Sequence, residues 1–458
     1  MMMIKTSLFV LLVSSVSAFQ AQQPTINGKV ATYSSSSSSS SSLNVGYAPS
    51  STSAIDVSEV AQRDVYTMQN WAQQYGVQLA DGVEIGSSDG EDYSVMTNSF
   101  IPAGSPVMFV PADIIMSSGS VEAEYGGQLQ AAEQTLMEFE GTAQRLPLFR
   151  LMIKVLAEYE KGQDSPWFPY LNAMPRRFYN GAAMTDACFD CLPPYAAYLA
   201  VNERNTYSRF VNSLRKGYVP IGDHIINDDV ACKWAYNVAL TRFNEVWSPR
   251  REKKLAPMAD MFNHNTYPNV EVTYDDNGNA LATAVEDVQA GSPLTISLGD
   301  PSNPTPLFAK YGFLYNDCTT IFCKAMHLLP EIETLGYEFK DLLFETTSGN
   351  IAPKVWDIFL YKLLENADET GDMAAQFFVA CKTNDEDTKQ NFLNQYFPYV
   401  LDAVKNHVDN ILQDIDVLTN KAQSYNIQTH PRVPVIVAHN NLVKDTFLKV
   451  QQQLYNMG

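Results

Sequence analysis

The chain has 458 residues, enough for two or three domains, and 45% of them are apolar, the ordinary share for a protein that buries a core. The formal net charge is −20 and no Lys/Arg-rich stripe interrupts it, which argues against a polyanionic nucleic acid as partner. A basic or lysine-bearing protein would be attracted by that field, although plain solubility accounts for the charge more simply.

Residues 1–18 read as a signal peptide. Lys5 supplies the positive end, Leu8 to Val13 form an apolar run too short to span a bilayer, and Val16-Ser17-Ala18 suits cleavage. Residues 19–55 are Ser-rich, with nine consecutive serines from Ser34 to Ser42 and no acidic side chain. A secreted protein with a disordered spacer would read this way. So would a two-part plastid presequence, because Ser17-Ala18-Phe19 resembles the Ala-Phe junction that marks proteins for the complex plastids of diatom-type algae. The expectation is a plastid location, with secretion as the alternative. No further apolar run of 18 residues occurs, so the mature chain is expected to stay out of the membrane.

Val57 to Tyr75 reads as an opening helix, with Val57, Val60, Ala61, Val65, Met68 and Trp71 on one face. Gly82 to Met116 reads as short strands, among them the buried run Val107-Met108-Phe109-Val110 after the turn Pro102-Ala103-Gly104. Residues 117–240 are mainly helical in pattern, with Leu148, Phe149, Met152, Val155, Leu156 and Tyr159 at helical spacing. The six cysteines include one isolated pair, Cys188 and Cys191; no second pair or His pair stands near it, so no four-ligand zinc set is expected.

The most informative stretch follows. Thr241-Arg242-Phe243, Ala259-Asp260-Met261-Phe262-Asn263-His264, Pro268-Asn269 and Lys310-Tyr311-Gly312-Phe313 set polar clusters in apolar surroundings within about seventy residues, a spacing that suits a site built from several loops and strand ends. Beyond residue 326 two long apolar stripes, Phe397 to Leu418 and Leu442 to Leu454, read as the core of a helical bundle.

Taken in order, these motifs resemble the SET-domain protein methyltransferases, in the subgroup that includes the Rubisco large-subunit methyltransferase. Ser165-Pro166-Trp167-Phe168-Pro169-Tyr170-Leu171 resembles that subgroup's helical-insert signature. The resemblance implies an α+β fold of small β-sheets with a knot-like crossing. It places a SET-like domain at 56–325, a helical insert at about 117–240 and an all-α C-terminal domain at 326–458. It also implies S-adenosylmethionine as cosubstrate and a protein lysine as acceptor. By position, Glu91, Tyr93, Arg242, Asn263, His264 and Phe313 would hold the cosubstrate. Asp260 and Phe243 would face the substrate, and Tyr311 would be catalytic.

The sequence departs from the family at two places. Beside Glu91, where a Gly-x-Gly loop is expected, it reads Asp92-Tyr93-Ser94. Leu298 stands where an active-site tyrosine is expected, and leucine has no hydroxyl to offer an amine. A SET-derived binding module that has lost catalysis is therefore the alternative reading. Methyl transfer to histidine is a further one, because a related member of the family modifies that residue.

Overall fold

The computed structural model describes residues 55–247, 251–300, 302–315, 317–367 and 371–457. All of the expected presequence except Ile55 lies outside them. The expected opening helix starts eight residues late, at Val65, and runs to Gln74. Asp64 sets its start by accepting the Thr67 N–H at 3.0 Å. Val60, assigned to the buried face from periodicity, is 83% exposed.

The strands are short. β1 (Gln78–Leu79), β4 (Pro106–Val110), β10 (Ala280–Ala284) and β9 (Val270–Tyr274) form one sheet in that order. β2 (Val83–Gly86), β3 (Ser94–Thr97), β11 (Pro293–Ile296) and β8 (Asn263–His264) form a second. A third joins β5 (Met116–Ser117), β7 (Arg251–Leu255) and β6 (Asn244–Trp247). Val83 and Ile85 on β2, like Ala280, Ala282 and Ala284 on β10, point alternately into the core, as the two-residue period of a half-buried strand requires.

One pairing shapes the site. β8 lies parallel to β11, with Asn263 opposite Thr295 and His264 opposite Ile296. The chain between them supplies β9 and β10 to the other sheet, so it leaves the second sheet, crosses to the first and returns. This is the crossing that the resemblance implied.

Between β5 and β6 the chain is helical, as its pattern indicated. The helix Leu146–Glu160 is the central one, with Leu148, Phe149, Leu151, Met152, Ile153, Val155 and Leu156 all buried. Its buried Glu158 is held by Lys154 at 2.9 Å, Lys161 at 2.7 Å and Ser165 at 2.7 Å, which keeps a carboxylate in the core from being left unpaired.

The C-terminal region is not wholly α. A two-stranded sheet, β12 (Thr320–Phe322) with β13 (Leu343–Glu345), opens it. The helices Pro353–Ala367, Asp372–Thr383, Glu386–Gln423 and Val433–Asn456 follow. Val400, Leu401, Val404, Val408 and Ile415 of one stripe pack with Val443, Phe447, Val450 and Leu454 of the other. Tyr195 of the insert enters the same core, so the second core is not sealed at residue 326.

Candidate active site

The site is built around the crossing. The helix Asp229–Arg242 ends on Arg242, whose Nη1 donates to the Asp260 carbonyl at 2.9 Å. Asp260 lies in a single tight helical turn, Ala259–Met261, entered through Met258 at φ +68°, a backbone state costly for a residue with a side chain. Asn263 and His264 follow directly on β8.

Asp260 was expected to face substrate; the structure buries it instead. Its Oδ2 accepts from the Tyr170 hydroxyl at 3.0 Å, and its Oδ1 has no partner among the described residues. Burial raises its carboxyl above the usual range, and Arg242 opposes that shift. Tyr170 belongs to the insert signature, so the insert braces the turn that presents Asn263. Tyr170→Phe would leave a buried carboxylate oxygen without its donor and is expected to cost about 1–3 kcal/mol. A chemical-denaturation midpoint checks this, and an unchanged midpoint would show that the brace carries no stability.

The loop joining β2 to β3 closes the site from the other side. Asp89 Oδ1 accepts the Glu91 and Asp92 N–H groups at 2.8 and 2.9 Å, and Gly90 takes φ +78°. A glycine therefore does serve the loop, although not in the expected pattern. Tyr93 offers its carbonyl to Asn263 Nδ2 at 3.3 Å. The Glu91 side chain is exposed, and its carbonyl accepts from Arg63.

Arg63 is the residue that sequence reading missed. Its guanidinium sits 4.7 Å from the Tyr93 ring centre, donates from Nε to the Ala173 carbonyl at 2.8 Å, and has Nη2 3.9 Å from the Met261 sulfur. Burial, then the nearby Arg242, lowers it to about 10. Neither Arg63 nor Arg242 has a carboxylate within ion-pair distance among the described residues. Two such guanidiniums beside the Asn263 turn are suited to a ligand carboxylate. No local motif marks Arg63; it precedes a helix cap and reaches the site only through the fold.

The aromatic wall comes from the helix Pro304–Tyr311 and the residues after it. The His264 ring lies 5.6 Å from Phe313 and 5.1 Å from Tyr315. Its Nδ1 accepts the Leu298 N–H at 3.1 Å, which leaves the proton on Nε2; that nitrogen is buried without a partner among the described residues. Desolvation lowers His264 below its ordinary pKa, so the ring is neutral at pH 7. The Tyr311 hydroxyl lies 3.4 Å from the Leu298 carbonyl, and its ring 5.8 Å from Phe313. The structure thus brings Asn263, His264, Leu298, Tyr311 and Phe313 together, with Arg242 and Tyr93 joined to them through the Asn263 turn. Phe243 borders this group through Lys310, whose Nζ lies 4.6 Å from both the Phe243 and the Tyr311 ring centres.

Comparison with known proteins bears on the fold. Residues 92–299 match the SET domain family. That match covers a little under half of the chain. Its fold is that of the Rubisco large-subunit methyltransferase group: a structure of the SET domain of LSMT bound to lysine and AdoHcy superposes with a TM-score of 0.60, covering 86% of this chain and 92% of that one at 15% identity. Rubisco LSMT bound to AdoMet gives 0.59, at 14% identity over 87% of this chain and 92% of that one. Among curated relatives, an actin-histidine N-methyltransferase of Danio rerio is 24% identical over 255 residues, 52% of this chain and 40% of that protein. Ribosomal lysine N-methyltransferase 4 of Schizosaccharomyces pombe is 37% identical over 100 residues, 21% of each chain. The matched part therefore spans less than half the length of either curated relative.

Proposed function

We propose that the protein is an S-adenosylmethionine-dependent protein-lysine N-methyltransferase. The observation that carries this reading is the pair of guanidiniums, Arg63 and Arg242, without a carboxylate partner among the described residues, beside the exposed amide of Asn263. The amino-acid end of S-adenosylmethionine presents a carboxylate that these groups fit. When bound, the cosubstrate supplies an activated methyl group on a sulfonium. Arg63 and Arg242 would hold its carboxylate, and Asn263 would accept or donate at the same end. Phe313 and the unpartnered Nε2 of His264 would border its base.

The residues around Tyr311 would handle the acceptor. A free lysine has a pKa of about 10.4, so an attacking amine must first lose its proton. Phe243, Tyr311 and the Leu298 side chain are apolar surroundings that disfavour an ammonium. Lys253 shows what burial does to an amine in this region, where it brings the pKa down to about 7. The carbonyl of Leu298 and the hydroxyl of Tyr311 can orient the amine, and catalysis is then largely alignment.

Calorimetry of the full chain with S-adenosylmethionine tests the reading, together with transfer of radiolabelled methyl into protein extract. Binding with transfer supports it; absence of both ends it. A second reading, a SET-derived binding module, is favoured by Leu298 in place of the expected tyrosine. It predicts capture of a specific protein without transfer. The relative that modifies actin histidine makes histidine the acceptor to test third.

We place the substrate in a plastid, on the strength of Ser17-Ala18-Phe19 and the Ser-rich stretch behind it. Residues 1–55 fused to a fluorescent protein are expected to reach the plastid of a diatom-type alga, and Phe19→Ala is expected to stop them short of the stroma. Secretion of the unmodified fusion would refute this location.

A further inference from the structure

We infer that the acceptor segment taken by this site carries acidic side chains next to the methylated residue, an inference that rests on the methyl-transfer reading above. The ground is a cluster of cations where the chain as a whole is acidic. Phe243 carries Lys253 Nζ at 3.3 Å and Lys310 Nζ at 4.6 Å from its ring centre, and Lys310 lies equally far from the Tyr311 ring. Lys254 stands on the other face of the β6–β7 hairpin, 4.9 Å from the Tyr274 ring, and is not part of this group. Arg251 covers Trp247 at 5.3 Å, and that tryptophan is 69% exposed.

The anions present do not balance these charges. Glu245 Oε1 pairs with Arg251 and also lies 3.4 Å from Lys253. Glu252 is turned to the Ser117 hydroxyl at 2.9 Å. Lys310 has no carboxylate within 4.0 Å among the described residues. Three cations, Lys253, Lys310 and Arg251, thus share one carboxylate, Glu245, in a chain with 51 acidic and 31 basic side chains. Composition would put a negative patch at an arbitrary place, so a positive one beside Phe243 and Tyr311 is a property of the site.

Lys253 reports the local field. Burial lowers its pKa first, Glu245 raises it, and Lys310 and Arg251 lower it again. A carboxylate brought over Phe243 would relieve that repulsion. A second ammonium beside the acceptor would add to it. The effect is local, because charges farther apart than about 8 Å are screened at physiological salt. The net charge of the whole chain therefore does not decide which flanking residues fit.

The test uses the full chain and three fluorescent peptides, each with one lysine flanked by Asp and Glu, by Ser and Ala, or by Arg. Binding is read by anisotropy at low and at physiological salt, with and without S-adenosylhomocysteine. The acidic peptide is expected to bind about tenfold tighter than the neutral one, with the gap narrowing as salt rises. Lys310→Gln is expected to remove most of the gap, and Lys254→Gln, on the other face of the hairpin, to leave it in place. Equal binding of the three peptides, or preference for the basic one, overturns the inference. Absence of methyl transfer and of cosubstrate binding would end the methyltransferase reading instead, and the order of peptide affinities would still decide this one.

Discussion

Tyr311→Phe is expected to lower methyl transfer by about a hundredfold while leaving cosubstrate affinity nearly unchanged. Leu298 has no hydroxyl, so the Tyr311 hydroxyl, 3.4 Å from the Leu298 carbonyl, is the polar group that can orient the acceptor there. A preorganised donor of this kind is worth about two orders of magnitude when removed. An interaction made mainly in the transition state lowers turnover without weakening ground-state binding. Single-turnover labelling gives the rate, and calorimetry the affinity. Equal turnover in variant and parent would show that Tyr311 is only a wall. Leu298→Tyr is the converse change. It is expected to raise the rate or alter how many methyl groups are added. If parent and Leu298→Tyr both transfer nothing while the protein still captures a specific partner, the binding-module reading replaces the enzyme.

Gly312→Ala is expected to destabilise the protein by about 3 kcal/mol or more and to disrupt the aromatic wall. Gly312 closes the helix Pro304–Tyr311 in the left-handed conformation at φ +84°, where a side chain is strained. A Cβ there would stand 2.5 Å from the Tyr179 carbonyl carbon and 2.7 Å from the Asn180 nitrogen. Strain and overpacking each cost about 1–3 kcal/mol, and neither contact can yield without moving backbone. The neighbouring chain is also fixed to this helix, by Asn180 Nδ2 to the Lys310 carbonyl at 3.0 Å and Gly181 N to the Ala309 carbonyl at 2.8 Å. Tyr311 and Phe313 flank the glycine, so a shift moves both. Thermal unfolding measures the loss, and an unchanged midpoint would show that the close approach is not native.

Much of this was legible along the chain. The buried helix Leu146–Glu160 announced itself by apolar spacing, and the two C-terminal stripes did the same. Asn263-His264, Arg242 and Lys310-Tyr311-Gly312-Phe313 could be singled out because their order is specific, and the structure gathers them at the crossing of β8 and β11. Local periodicity misled at Val57 to Ala61, because an apolar spacing of three and four does not show where a cap begins a helix; Asp64 decided that.

The sequence by itself determined the fold class, the separate apolar cores and the polar residues worth watching, since these depend on residue type, spacing and order along the chain. Tertiary structure decided how they act. It turned Asp260 from a presumed substrate contact into a buried brace held by Tyr170, 90 residues earlier. It delivered Arg63 from the start of the chain to the same turn, beside Tyr93 and Met261. It also brought Lys253 and Lys310 to the Phe243 ring, on an acidic protein. The physical reason is common to all three: burial, electrostatic field and hydrogen-bond partnership are set by neighbours in space, and the residues concerned are distant in sequence.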